Sequence, residues 1–242
     1  MFLFSLGPLY LLATFVGLAI TLVAQIRVKS TFARYSREGV RAGITGAEAA
    51  AAVARAGNAG GITIERHQGF LSDHYDPRSR TLRLSPDVYD GRSVSSIAVA
   101  AHEAGHAIQH AVAYPALNLR SMLVPVANIG SSLWVLPFIM GLGLARGQDL
   151  AHADPVAHTL VNVGILMFAA VVLFQIVTLP VEFDASRRAK AVLAQSGIVQ
   201  TSDEARGVSK VLDAAALTYV AAALAGALQL IALVLRANQR RD

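Results

Sequence analysis

The sequence predicts a mainly α-helical membrane protein with four transmembrane helices and one small α+β domain facing the cytoplasm. Three observations carry this reading. The 242-residue chain is 54% hydrophobic and only 15% charged, with a mean hydropathy of +0.49, too apolar for an ordinary soluble domain. Its apolar residues gather in four blocks, 3–26, 122–145, 159–179 and 214–235, each of about the 20 residues a helix needs to cross the hydrocarbon core. The long polar stretch between the first two blocks carries local signals for both helix and strand.

The chain accordingly divides into a first transmembrane helix (1–26), a core segment (27–120), a second and a third transmembrane helix (121–145 and 159–181), a polar segment (182–211) and a fourth transmembrane helix (213–236). The first block has no Lys or Arg before it and exceeds the 7–15 apolar residues of a signal-peptide core, so it reads as an uncleaved anchor. In the core segment, Thr45 followed by Glu48 is a capping-box pattern that opens an alanine-rich helix ending near Gly57-Asn58. Short strands follow at 62–65, 69–75 and 81–84, the last two joined by a turn at Asp76-Pro77-Arg78-Ser79, and Ser85-Pro86-Asp87 closes the β element. A helix then runs from about Ser93 to Val112, with Pro115 marking its end. The polar segment 182–211 includes a helix-compatible run, 181–195, and lies on the same side of the membrane as the core because two crossings separate them.

A net charge of +5 raises nucleic acid as a partner, but the cations sit beside the apolar blocks without interleaved aromatics, so no nucleic-acid partner is expected. Orientation accounts for them. Arg27, Lys29, Arg34, Arg37 and Arg41 follow the first block and Arg187, Arg188 and Lys190 the third, whereas the loop 146–158 holds one Arg and two Asp. By the positive-inside rule the amino terminus lies outside and the core segment in the cytoplasm of a bacterial inner membrane. The tail bearing Arg236, Arg240 and Arg241 would then lie outside, against the rule; the larger and earlier cluster decides, because the first span usually dominates orientation.

The most definite chemical signal is His102-Glu103-Ala104-Gly105-His106, an H-E-x-x-H pattern within the 93–112 helix. Four positions apart on a helix, the two imidazoles leave one face a turn apart and can reach a single zinc ion, with Glu103 placed to act on a zinc-bound water. The α+β segment therefore reads as a zincin-like peptidase domain with Glu103 as catalytic base. With no cysteine in the chain, metal ligands must come from His, Asp or Glu. A catalytic zinc needs a third protein ligand. Glu182 is the strongest candidate, since it stands where the third block leaves the membrane on the side of the motif helix, and Asp184 is the alternative. On a helix these two point about 200° apart, so only one of them faces the metal.

Three stretches resemble one family: His102-Glu103-Ala104-Gly105-His106-Ala107-Ile108-Gln109-His110, Asp73-His74-Tyr75-Asp76-Pro77, and Pro180-Val181-Glu182-Phe183-Asp184-Ala185-Ser186-Arg187-Arg188-Ala189. Together they are similar to the YugP-type bacterial membrane zinc metallopeptidases and, more distantly, to the HtpX-like heat-shock proteases. The resemblance implies zinc ligands at His102, His106 and Glu182 and the base at Glu103. The HtpX-like pattern has an aspartate four residues after the third ligand, where this chain has Ser186, which leaves the outer partner of the histidines unassigned.

Zinc lowers the pKa of a bound water, Glu103 takes its proton and later returns it to the leaving amine, and Arg187, Arg188, His110 or Tyr219 could supply the donor for the developing oxyanion. His110 reads as a helix-surface or supporting residue and not as a fourth ligand. A strand at 71–75 could offer an edge for an extended substrate or merely pack beneath the motif helix. Asp73, His74 and Asp76 could be metal or substrate groups, or simply turn formers. The expected partners are a polypeptide substrate near the membrane and the lipid bilayer; a homo-oligomer or another membrane protein stays open as a further partner. Two other readings compete: a site-2-type intramembrane protease, in which the motif lies within a span and an Asp-Gly aspartate is a ligand, and a non-catalytic zinc-binding scaffold. Arg92 and Asp90 before the motif helix and Ala214 after Asp213 oppose the first. Glu103 opposes the second, because a structural zinc site has no use for a neighbouring base.

Overall fold

The computed structural model describes residues 7–69, 72–145 and 154–238. Parts of the expected first span (3–6), the expected second strand (70–71), the loop 146–153 and the basic tail at Arg240 and Arg241 lie outside the described residues. In chain order come α1 (Pro8–Tyr35), α2 (Gly46–Ala56), β1 (Thr63–Arg66), β2 (His74–Asp76), β3 (Thr81–Leu84), α3 (Pro86–Tyr89), α4 (Val94–Ala111), α5 (Pro115–Leu133), α6 (Val135–Leu144), α7 (Pro155–Gln195) and α8 (Ser202–Asn238). They contribute to two compact units, one of Met1–Val23, Leu119–Thr178 and Tyr219–Asp242, the other of Ala24–Asn118 and Leu179–Thr218.

The first unit is apolar inside and out. Its interior gathers Tyr10, Phe138, Val161, Phe168, Val172 and Leu233, while Leu12, Phe15, Met122, Leu166 and Ile231 are exposed, a pattern suited to lipid and costly in water. Small residues set the helix spacing: a Cβ on Gly164 would lie 2.7 Å from that of Phe138, and one on Gly17 2.9 Å from that of Ala225. Among the described residues three helices are long and apolar enough to cross a membrane, Pro8–Tyr35, Pro155–Gln195 and Ser202–Ala237.

The expected second span is not one straight helix. It is the pair α5 and α6, bent by 41° at Trp134. Pro137 stands three residues beyond the break and can neither donate to the preceding turn nor let its ring pass the carbonyl there, so the helix restarts. The expected change near residue 181 from apolar to polar segment coincides with the boundary between the two units at Thr178 and Leu179, and α7 runs unbroken across it, with Pro180 inside the helix.

The second unit closely follows local sequence signals. The Thr45 hydroxyl accepts from the Glu48 amide while the Glu48 carboxylate accepts from the Thr45 amide, completing the capping box of α2. The sheet has the order β1-β3-β2, with β1 parallel to β3 and β2 antiparallel to it. Asp76 closes the turn before β3 by accepting from the Arg78 amide at 3.0 Å and the Ser79 hydroxyl at 2.7 Å. The first expected strand is shifted by one residue, and the second is confined to His74–Asp76 among the described residues. Behind the sheet, Ala49, Ala50 and Val53 of α2 pack with Leu82 and Leu84 of β3 and with Ile97, Ala100, Ala101 and Ala104 of α4. Alanines along these faces let the helices approach closely around the motif helix.

Candidate metal centre

Helix α4 begins at the Ser93 cap, whose hydroxyl accepts from the Ser96 amide, and ends at the Val112 cap, so the motif occupies its interior, where geometry is most regular. His102 and His106 project from one face with ring centroids 4.8 Å apart. Each is about 9% exposed. Opposite them on α7 stands Glu182, 2% exposed, with Oε2 at 3.2 Å from His102 Nε2 and 3.6 Å from His106 Nε2.

One donor atom from each of the three residues lies within 4.8 Å of the others, a group able to hold a metal ion. The fit to zinc can be tested by distance. Ligands about 2.05 Å from a tetrahedral zinc lie about 3.3 Å from one another, close to both Nε2–Oε2 separations. Two imidazoles and one carboxylate are also a donor set that zinc favours, with one position left for water.

Helix approach makes the meeting possible. Gly105 faces α7 so closely that a Cβ there would lie 2.5 Å from the Ala185 carbonyl oxygen. Burial alone would raise the Glu182 carboxyl, but hydrogen bonds and charge from His102 and then His106 overcome it and hold the group well below the usual carboxylate range. Burial likewise opposes charge on His106, and the Glu182 and Glu103 carboxylates outweigh it, raising the imidazole above its ordinary value. Glu103 itself is half-buried on the adjoining face of α4.

Asp184, the alternative ligand, is elsewhere. It is 2% exposed and accepts from the Gln109 amide at 2.9 Å, while Arg187 and Arg188 pair with it. Gln109, fully buried, also donates to the Val181 carbonyl at 2.8 Å and meets His106 Nδ1 through Oε1 at 3.0 Å. His102 Nδ1 lies 3.1 Å from the Ser186 hydroxyl, so Ser186 fills the place left unassigned by the family pattern. Gln109 was missed by sequence reasoning, though its position one turn after His106 on the same face was a usable signal.

Among the described residues, the remaining candidates are not part of the three-residue metal group. His110 Nδ1 is 2.9 Å from the Tyr75 hydroxyl, beside a cavity of about 260 Å³ that Arg80 also lines. Asp73 accepts from the amide and hydroxyl of Ser85 at 2.7 and 3.0 Å; burial pushes its carboxyl up, those bonds oppose, and the Glu103 charge adds to the rise. His74 meets the Ser72 carbonyl. Arg187 and Arg188 are occupied by Asp184, and Asp213 pairs with Lys190 at 2.8 Å.

Comparison with known proteins agrees with this chemistry. The chain is 42% identical to the protein named "Putative membrane protease YugP" of Bacillus subtilis (strain 168) over 234 residues, covering 97% of this chain and 99% of that one. No solved structure matches it. A family model described as "Putative neutral zinc metallopeptidase" matches residues 10–238, nearly the whole chain, and to that zinc metallopeptidase family the chain belongs.

Proposed function

We propose that the protein is a zinc-dependent membrane endopeptidase in which Nε2 of His102, Nε2 of His106 and Oε2 of Glu182 hold the metal and Glu103 is the general base. The observation that carries this reading is the convergence of two motif imidazoles with a carboxylate 76 residues further along the chain, all three buried. When bound, zinc polarises the scissile carbonyl and brings the pKa of its water towards neutrality. Glu103 takes the proton from the attacking water and returns it to the leaving amine as the C–N bond breaks. Strand β2, at one edge of the sheet and next to α4, offers backbone donors and acceptors to an extended substrate, which supplies affinity with little side-chain selectivity.

The membrane arrangement belongs to the same proposal. Counting α5 and α6 as one broken span gives four crossings, with the second unit on the cytoplasmic face of a bacterial inner membrane, supported by the cations at 27–41 and 187–190. Tethering there favours membrane or membrane-proximal polypeptides. The deciding experiment replaces Glu103→Gln and follows zinc content and peptide cleavage together. Retained zinc with cleavage reduced about 10²- to 10⁴-fold is expected for loss of a general base; unchanged cleavage eliminates the mechanism.

A further inference from the structure

We infer that Gln109 is a positioning residue that fixes the tautomer of His106, so that the Nε2 lone pair faces the metal position. The inference rests on the zinc reading above. A side-chain amide presents a donor end and an acceptor end, and its hydrogen-bond partners distinguish them. One end of the Gln109 amide meets two acceptors, the Val181 carbonyl at 2.8 Å and the Asp184 carboxylate at 2.9 Å. Only the NH₂ group satisfies both; the reversed amide would set its oxygen against two oxygens in a site without solvent access.

The carbonyl oxygen must therefore face His106 Nδ1 at 3.0 Å. Having no proton to offer, it requires one on Nδ1, which leaves Nε2 as the nitrogen free to coordinate. Arg187 and Arg188 paired with Asp184 keep that carboxylate an acceptor and so anchor the series from the α7 surface inward. His102 has no such constraint, since the Ser186 hydroxyl at its Nδ1 can donate or accept. The two metal histidines are thus held unequally, His106 in one tautomer and His102 through an adaptable hydroxyl.

The test compares zinc affinity, by competition with a chromophoric chelator, among the detergent-solubilised full-length wild type, Gln109→Leu and Gln109→Glu. Gln109→Leu keeps the volume but removes both ends of the amide, and its zinc affinity should fall about 10- to 100-fold, the usual cost of losing an outer partner of a metal histidine. Gln109→Glu, held protonated because it faces the Asp184 carboxylate, donates its hydroxyl there, keeps a carbonyl acceptor for Nδ1–H and should bind zinc at least about tenfold more tightly than Gln109→Leu. Equal losses in the two variants would reduce Gln109 to a packing residue and overturn the inference. Should the variants fail to fold, cadmium-113 loading of the ¹⁵N-histidine-labelled wild type still decides: coupling to His106 Nε2 is expected, and coupling to Nδ1 overturns the assignment. Wild-type protein that takes up no metal overturns the zinc reading and the inference together, whereas tight wild-type binding that Gln109→Leu leaves unchanged overturns the inference alone.

Discussion

Gly105 and Ala185 are in backbone contact: a Cβ added to the glycine would lie 2.5 Å from the carbonyl oxygen of the alanine. This contact sets how close α4 and α7 can lie, and Glu182 stands less than one turn before Ala185. Gly105→Ala must push the helices apart at the point where the carboxylate reaches the imidazoles. Overpacking of this kind costs about 1–3 kcal/mol. The expected result is a protein with a lower unfolding midpoint and weakened zinc binding, although no ligand has changed. Isothermal titration with zinc checks it; wild-type affinity would show that α7 has slack to give.

Ser186 provides a second prediction. As the partner of His102 Nδ1 it satisfies either tautomer, so Ser186→Asp should improve the site by supplying an acceptor-only group that demands Nδ1–H. Zinc affinity should rise by about tenfold, while Ser186→Ala should lower it. A fall with Ser186→Asp would mean that repulsion from Glu182 and Asp184 outweighs the orienting effect.

Much of this arrangement is legible in the sequence because it is local. The bounds of α4 follow from Ser93 and Pro115, the start of α2 from Thr45 and Glu48, and the turn before β3 from Asp76. Histidine spacing gives the shared face, and the end of the third apolar block narrows the third ligand to Glu182 or Asp184. What sequence patterns do not display depends on partners distant in the chain. Asp184 and Gln109 are 75 residues apart, and only the packing of α7 on α4 turns a rival ligand into an anchor for an amide. The break at Trp134 lies between these cases, since Pro137 signals it locally, yet an uninterrupted apolar run conceals it.

Asp73 allows a structural role to be separated from a metal-binding one. Its carboxylate holds the Ser85 amide at the end of β3, so Asp73→Ala should leave a donor unpaired and destabilise the second unit by about 1–3 kcal/mol. Zinc stoichiometry should not change. Loss of metal from a folded variant would instead make Asp73 part of the site.

Glu204 couples stability to pH. It is 6% exposed and accepts from the backbone amides of Arg41, Gln200 and Thr201 at 2.8, 2.7 and 3.1 Å. Burial would raise its carboxyl, but these three bonds and the Arg41 charge lower it below the ordinary value. A carboxyl depressed in the folded state contributes stability that is present above the unfolded-chain pKa, about 4.3, and is lost as pH falls towards the folded value. Denaturant midpoints of the wild type should therefore drop below about pH 4.3, and Glu204→Ala should flatten that part of the profile while lowering stability by about 2 kcal/mol at neutral pH. A parallel profile in the variant would assign the acid sensitivity to other carboxyls.

The orientation is testable because the chain contains no cysteine, so a single introduced thiol reports its own side of the membrane. Arg78→Cys in the exposed turn before β3 and Ser196→Cys just beyond α7 both fall in the second unit. With the cations at 27–41 and 187–190 retained on the cytoplasmic face, an impermeant maleimide should label neither thiol in intact spheroplasts and both in inverted vesicles. Labelling of both from the outer face would reverse the orientation and place the zinc site outside the cytoplasm. Labelling of the two from opposite faces would mean an odd number of crossings between residues 78 and 196, leaving α5–α6 as a bent re-entrant pair that does not traverse the bilayer, with α7 the single crossing between them.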